Sequence, residues 1–264
     1  MTGNTRPGRL WLIPTPLGKE VDPARILPAD TLDIVRQLDC FIAENARTAR
    51  AFLKAAGIDR PIQQVEIAEL NEHTPDHALP ALLAPLLSGR DVGLVSEAGC
   101  PAVADPGAAL VARAHAAGIE VRPLIGPSSI LLALMASGLG GQRFSFAGYL
   151  PQPGDQRVRE ARELEQRSAR WGETILLIET PYRNQALLDS LLGALMPTTR
   201  VLIASDLSLP GESIRMKSVS DWRHSPPVLA RTPTVFGLLA AARRKPDAPG
   251  AQRKRGRSDD VRRV

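Results

Sequence analysis

The segment from Gly93 to Gly107 constrains the fold of this chain more than any other part. It begins as a short apolar run that ends at Ser96, which is typical of a buried strand. Two glycines, two prolines and two carboxylates follow before an alanine-rich helix predicted over 108–117. Glycine opens unusual backbone conformations and proline stiffens the chain, whereas an ordinary connection needs only about 2–6 residues. A rigid polar loop after a strand is where open α/β sheets bind ligands, so the segment predicts a binding loop.

Strands alternate with helices through the first half of the chain. Apolar runs predict strands, and caps, prolines and glycines delimit helices between them, including one over 75–87 that Thr74 caps. Such alternation favours a mostly parallel, doubly wound sheet. The predicted strands of this half lie at 9–14, 40–43, 62–67, 92–96 and 119–123.

The pattern changes after residue 138, where a glycine-rich stretch leads into a second group of strands and a strongly charged helix over 156–171. This half predicts an α+β domain with more antiparallel pairing. The fold class is therefore α/β, with an N-terminal, mostly parallel sheet domain over 1–140 and a C-terminal α+β domain over 141–242. The predicted strands of the second half lie at 144–149, 174–178, 200–204, 213–219 and 234–239.

The positive charge is concentrated at the end of the chain. The net charge is +5, but nine basic and three acidic residues lie from Arg243 onward, so the remainder carries a net charge of −1. The segment 243–264 has no apolar periodicity and is predicted to be a disordered basic tail. Two interpretations stay open for it: an arm that contacts RNA phosphates, or a solubilising terminus.

Several common classes are excluded. Cys40 and Cys100 stand far apart without a CxxC pair, which argues against a disulfide framework or a structural zinc site. No dinucleotide fingerprint or P-loop is present, and the four histidines lack metal-ligand spacing. No metal is therefore expected. The start lacks an apolar signal region and no stretch is long enough to span a bilayer, so a cytoplasmic protein is expected.

Four polar loops follow strands of the predicted parallel sheet. Because the carboxyl ends of parallel strands share one edge, these loops can converge on one cleft. Their backbone groups, small hydroxyls and carboxylates suit a neutral or cationic ligand with ribose hydroxyls better than a triphosphate. The loops are 15–18, 44–47, 96–107 and 126–129.

Six motifs in these loops and beyond carry a resemblance to a known family. They read PTPLG from Pro14, AENAR from Ala43, LVSEAGCP from Leu94, DPG from Asp105, GPSS from Gly126 and ETPYR from Glu179. The series resembles that of the ribosomal RNA small-subunit methyltransferase I family, a branch of the tetrapyrrole-methylase superfamily. The resemblance runs in order from about residue 10 to residue 239.

The resemblance implies a two-domain homodimer that holds S-adenosylmethionine between its domains and methylates the ribose 2′-hydroxyl of a cytidine in small-subunit (16S) ribosomal RNA. The chain departs from the family pattern at Lys19, Asn45–Ala46, Glu97 and Cys100, which leaves open a sister branch with another acceptor. By motif, the residues implied at the methyl-donor site are Pro16, Glu97, Gly99, Cys100, Pro101, Val103, Ser128 and Ser129.

A ribose hydroxyl is a weak acid, so a base is expected at the site. Glu44 is the first candidate, with Arg47 orienting it or gripping phosphate; the competing interpretation is a buried Glu44–Arg47 pair that only holds the strand end. Glu97 is expected to face the cationic end of the donor rather than to act as base. Ser128 and Ser129 can also cap the following helix.

Two other functions stay open. A methyltransferase for a tetrapyrrole or similar small molecule would share the donor site, and the charge of −1 on the body of the chain suits it. A non-catalytic protein that senses S-adenosylmethionine is favoured if Asn45 marks a lost catalytic acid.

Overall fold

The computed structural model describes residues 6–241 of the 264-residue chain. The predicted basic tail at 243–264 lies outside the described residues. Within them, two five-stranded sheets follow one another along the chain. None of the helices in this part is both long and apolar enough to cross a membrane.

The first sheet is entirely parallel, in the order β3-β2-β4-β1-β5. The strands at Cys40–Ala43 and Val92–Val95 are buried along their whole length, which explains their continuous apolar runs, whereas the edge strands at Glu66–Glu69 and Glu120–Pro123 are partly exposed. The strands are β1 (Arg9–Ile13), β2 (Cys40–Ala43), β3 (Glu66–Glu69), β4 (Val92–Val95) and β5 (Glu120–Pro123). The helices around it are α1 (Ala29–Gln37), α2 (Ala46–Ala55), α3 (Leu79–Leu82), α4 (Ala84–Leu87) and α5 (Gly107–Ala116), with short 3-10 turns at Pro23–Arg25, Ile62–Gln64 and Asp76–Ala78.

The strand order fixes where a ligand can bind. β1 and β4 are neighbours at the centre of the sheet. The chain continues from β1 to β2 on one side of this pair, and from β4 to β5 on its other side. The loops after these two strands therefore leave from a topological switch point, which is the place where doubly wound sheets form a crevice.

The second sheet is mixed, in the order β6-β7-β10-β8-β9, with β6 and β7 parallel and the remaining pairs antiparallel. Its strands are β6 (Phe144–Gly148), β7 (Thr174–Glu179), β8 (Arg200–Ser205), β9 (Ser213–Ser218) and β10 (Thr234–Leu239). Its helices are α6 (Ser129–Ser137), α7 (Gly154–Trp171), α8 (Asn184–Ala194) and α9 (Val219–His224). The α/β class with a parallel first sheet and a mixed second sheet is confirmed.

Both faces of the second sheet are covered. Ile175 and Leu177 of β7 pack with α7 and α8, whereas Leu176 between them faces the opposite side, as the two-residue period of a strand requires. On that opposite side Ala133 of α6 packs against the sheet. Helix α6 thus precedes the predicted boundary at residue 140 but belongs to the core of the second sheet; the domain division itself stays a prediction.

Candidate active site

The loops after β1 and β4 are tied to each other. Thr15 N–H donates to the Gly99 carbonyl at 2.9 Å and Gly99 N–H donates to the Thr15 carbonyl at 3.1 Å. The Ser96 hydroxyl also donates to the Gly99 carbonyl, at 2.7 Å. Gly99 has φ +78°, a conformation that suits glycine, so this residue allows the two loops to meet.

The loop from Glu97 to Asp105 is strained and braced. Ala102 and Ala104 have φ +64° and +59°, a left-handed conformation that costs an alanine about 1–2 kcal/mol. The Cys100 thiol donates to the Pro127 carbonyl at 3.4 Å, and Pro101 is buried. Strain of this kind persists only where the surroundings enforce it, and it clusters at functional sites.

A cavity of about 350 Å³ lies between the ends of the two sheets and is called the main cavity here. Its volume falls within the range of small-molecule sites. The loop after β4 forms one wall, and the end of β7, the end of β8 and the start of β10 form the other. The residues used below are Glu44, Glu97, Val103, Asp105, Ser129, Tyr149, Glu179, Thr180, Ala204, Asp206 and Thr234.

The first wall of the main cavity carries carboxylates without cations. Burial, and then the nearby charge of Asp105, Glu97 and Glu72, raises the pKa of Glu44 to about 7. Burial and the charge of Glu97 raise the pKa of Asp105 to about 6, against the opposing hydrogen bond from the Gly107 backbone. Among residues 6–241 no hydrogen bond or ion pair holds the Glu44 carboxylate, so its proton is free to exchange near neutral pH.

Helix α2 positions the neighbours of Glu44. The Asn45 side chain caps this helix by accepting from the N–H groups of Arg47 and Thr48, at 2.8 and 3.3 Å. Thr48 then donates its hydroxyl to the carboxylate of Glu97. Asn45 therefore has a structural role that explains its presence without a lost catalytic acid.

The opposite wall holds an ion pair whose carboxylate is fully buried. The Glu179 side chain is 0% exposed, and its Oε1 accepts from the Arg183 guanidinium at 2.6 Å and from Thr180 N–H at 2.7 Å. Its Oε2 is buried and has no hydrogen-bond partner in the described part of the chain. Because a buried acceptor without a partner is costly, this atom is suited to a donor group of a ligand in the main cavity.

A second cavity, the small cavity, measures about 130 Å³ and lies between the loop after β1 and helix α2. Pro16, Lys19, Thr48 and Phe52 are among its lining residues. Of the residues lining the small cavity, only Glu97 also lines the main cavity.

The predicted donor-site residues separate into two groups. Glu97, Val103 and Ser129 line the main cavity, and Pro16 lines the small cavity. The others line neither cavity in the described structure; these are Gly99, Cys100, Pro101 and Ser128. Gly99 and Cys100 instead form hydrogen bonds that hold neighbouring loops together. Their assignment as donor contacts stays a prediction.

Three expectations about roles are revised by the structure. Glu44 reaches the main cavity, but Arg47 is exposed and makes no ion pair with it among the described residues, so neither the orienting role nor the buried pair is present. Ser128 occupies the N-cap position of α6, yet its hydroxyl makes no capping hydrogen bond, and Ser129 is already helical.

Sequence reasoning missed several residues of the main cavity. Asp105 and Glu179 stood within recognised motifs, but nothing in one sequence places two strand ends from different sheets against each other. Tyr149, Asp206 and Thr234 carried no signal, because each follows or opens a strand whose partner was unknown.

The comparisons with known proteins agree with this architecture. The sequence profile of the tetrapyrrole (corrin/porphyrin) methylases matches residues 10–221. The chain belongs to this family. It is 31% identical over 216 residues to ribosomal RNA small subunit methyltransferase I of Escherichia coli O157:H7, covering 81% of this chain and 70% of the relative. The namesake from Vibrio cholerae is 32% identical over 206 residues, covering 78% and 67%.

These matches confirm the resemblance to the ribosomal RNA small-subunit methyltransferase I branch, although the chain spans only about two thirds of the length of the relatives. Solved tetrapyrrole methylases share the fold. The methyltransferase CobJ superposes with a TM-score of 0.60 at 20% identity, covering 90% of this chain and 96% of CobJ. Uroporphyrin-III-C-methyltransferase from Thermus thermophilus gives 0.54 at 21% identity, covering 88% and 92%.

The protein is a methyltransferase, and methyltransferases of this family use S-adenosylmethionine. The main cavity fits that cofactor chemically. Its volume is adequate for a ligand of this size, and its carboxylates suit a sulfonium and an ammonium group. The unpartnered Glu179 Oε2 offers a place for an amino or hydroxyl donor.

Proposed function

We propose that this protein methylates the ribose 2′-hydroxyl of a cytidine in small-subunit ribosomal RNA. The observation that carries the proposal is Glu44 at the main cavity, a carboxylate whose pKa of about 7 matches a general base at neutral pH. The relatives are ribosomal RNA small-subunit methyltransferases, which supplies the substrate class of the proposal. When bound, S-adenosylmethionine supplies a methyl group on a good leaving group.

The chain's own residues then have three tasks. The loop from Glu97 to Asp105 and the start of α6 position the donor with Val103 and Ser129, while Glu179 holds its donor groups from the other wall. The two walls exclude water from the methyl group. The Glu44 carboxylate accepts the proton of the attacking hydroxyl, which makes the oxygen a better nucleophile.

The surface beside the site suits RNA. Arg47, Arg50 and Lys54 recur at helical spacing on the exposed side of α2 and make no ion pairs within the described structure. Such a row of cations neutralises phosphates without reading sequence. Arg47 is accordingly a phosphate contact in this proposal. An RNA substrate of this kind is found in the cytoplasm.

We also infer a homodimer that uses the outer side of α6 and the loop before it. Ile125 and Met135 are 75% and 79% exposed, and Leu131 lies between them at half exposure. Exposed apolar side chains grouped in this way are typical of protein–protein contacts. Sedimentation of the full chain tests it, and a monomer at micromolar concentration would contradict it.

The test of the function is transfer of a labelled methyl group to small ribosomal subunits purified from a host that lacks this protein. The expected result is label in RNA that digestion recovers as 2′-O-methylcytidine, with large subunits as the negative control. Clear donor binding by calorimetry without label in RNA would favour the small-molecule alternative, which the net charge of −1 on the body of the chain suits.

A further inference from the structure

The small cavity has a size and lining that the donor does not explain. Its volume of about 130 Å³ corresponds to about four water molecules, which is room for one small ring and too little for a nucleoside with its amino acid. Val21, Pro23 and Phe52 give it apolar and aromatic walls. The exposed Ala51 and Ala55 form its rim on α2, where a larger side chain would narrow the entrance.

Only a few polar groups of the small cavity remain available to a ligand. The Thr15 and Ser96 hydroxyls are buried and bond to each other and to the loop backbone. Glu97 uses Oε1 to accept from Thr48, and its Oε2 makes no hydrogen bond to the described residues. The Lys19 ammonium is exposed and makes no ion pair within residues 6–241. A ligand here would meet one carboxylate oxygen and one ammonium.

We propose that the small cavity holds the base of the acceptor nucleotide and selects cytosine; this inference rests on the proposed function. A single pyrimidine ring fits the volume, and RNA bases are commonly recognised by stacking on aromatic side chains and by hydrogen bonds to their edges. A glutamate accepts from the N4 amino group of cytosine. Lys19 donates to the O2 carbonyl. Uracil would direct its O4 acceptor at the carboxylate, which cannot donate to it. A purine has two fused rings and is too large for the small cavity.

The placement of Glu97 connects base recognition with methyl transfer. Because Glu97 lines both cavities, a base in the small cavity brings its own ribose to the border of the main cavity, which Glu44 also lines. The cations at Arg47, Arg50 and Lys54 lie on the same helix as the rim and are available to the flanking phosphates. Binding of the correct base in the small cavity therefore positions the ribose hydroxyl that is to be methylated.

The first test blocks the small cavity without changing the main one. Ala51→Phe and Ala55→Phe fill its rim from exposed helix positions, and Ala112→Phe places the same side chain at an exposed position of α5 that lines neither cavity. Both rim variants are expected to bind S-adenosylmethionine within about twofold of wild type and to lose at least about 50-fold in RNA methylation. The control variant Ala112→Phe is expected to keep the donor affinity and the RNA methylation rate of the wild type. A folded rim variant that methylates RNA at the wild-type rate overturns the inference.

The second test measures the ratio of the methylation rates on cytidine and on uridine. Any effect of Glu97 on donor binding changes both rates equally and cancels in this ratio. Reconstituted subunits carry cytidine or uridine at the methylated position, and wild-type protein is expected to prefer cytidine about 10- to 100-fold. In Glu97→Gln the ratio should fall towards one, because the amide can present its N–H₂ to O4. An unchanged ratio overturns base selection by Glu97. Failure of wild-type protein to methylate any RNA would instead contradict the proposed function.

Discussion

Glu44 and Glu179 border the main cavity from opposite walls, and the chain surrounds them in opposite ways. Both stand at the end of a strand, Glu44 directly after β2 and Glu179 as the last residue of β7. Glu179 is fully buried beside Arg183 and the Thr180 N–H. Glu44 is half-buried, has only carboxylates as charged neighbours, and has a pKa of about 7. The same residue type is thus held in an ion pair on one wall and has no cationic partner among the described residues on the other.

The difference shows that burial alone does not decide which partners a carboxylate has. The more buried Glu179 has a cation and one backbone donor beside its carboxylate, whereas the less buried Glu44 has neither among the described residues. A site that must hold a cationic ligand and also remove a proton needs both arrangements. The predictions below test this contrast from its largest expected effect to its smallest.

Removal of the exchangeable base should have the largest effect. Glu44→Gln is expected to lower turnover on RNA about 10²- to 10⁴-fold, because the amide cannot accept the proton of the hydroxyl. Single-turnover rates with saturating donor measure it. Glu163→Gln, at an exposed position of α7 that lines neither cavity, is the matched control and should stay within about twofold. Full turnover in Glu44→Gln would exclude this residue as the base.

Loss of the cation beside Glu179 should act on stability instead. Arg183→Met leaves a buried carboxylate without its partner, which typically costs about 3–5 kcal/mol in the free energy of unfolding. Urea denaturation measures the loss. Arg159→Met removes an exposed ion pair to Asp155 and should cost less than about 1 kcal/mol. Equal losses in the two variants would remove the contrast between a buried and a solvated pair.

The pH dependence of kcat/KM should report the titration of Glu44. The base works only when deprotonated, so activity should rise about tenfold per pH unit below a midpoint near pH 7 and level off above it. Asp105→Asn removes a neighbouring negative charge and should move that midpoint to lower pH. A flat profile between pH 5.5 and 8.5 would contradict the assignment.

The smallest effect is a gain in stability from the same substitution that removes activity. The pKa of Glu44 is raised in the folded protein, so its contribution to stability is present below about pH 4.5 and is lost as pH rises through about 7. Glu44→Gln should therefore be more stable than wild type at pH 8, by roughly 1 kcal/mol because solvent still reaches the carboxylate. The gain should vanish near pH 4, and a loss of stability at pH 8 would contradict it.

Local patterns were sufficient to predict most of the elements. Apolar runs and caps predicted four of the five strands of the first sheet closely, and the motif order predicted the family of the chain. The strand expected over 62–67 is misplaced, because a 3-10 turn occupies Ile62–Gln64 and β3 lies at Glu66–Glu69. The single helix expected over 75–87 is wrong: a 3-10 turn and the short helices α3 and α4 occupy this stretch. Pro80 and Pro85 lack the N–H that a continuous helix would need.

The walls of the main cavity could be predicted only in part. The loop after β4 was recognisable because an ordinary strand-to-helix connection does not need its glycines, prolines and carboxylates. The second wall depends on β10 pairing between β7 and β8, a long-range arrangement that no local pattern encodes. Tyr149 and Asp206 reach the main cavity for that reason, and the isolation of Glu44 from Arg47 depends on side-chain directions that spacing does not give.

Helix α6 has a consequence for any attempt to separate the two halves. It precedes residue 140, but Ala133 packs with Leu202 and Val235 of the second sheet. A fragment that stops at residue 140 would carry α6 with its apolar face exposed to solvent. The complementary fragment would lack a helix that covers one face of its sheet. A cut before α6 therefore respects the architecture better than a cut after it.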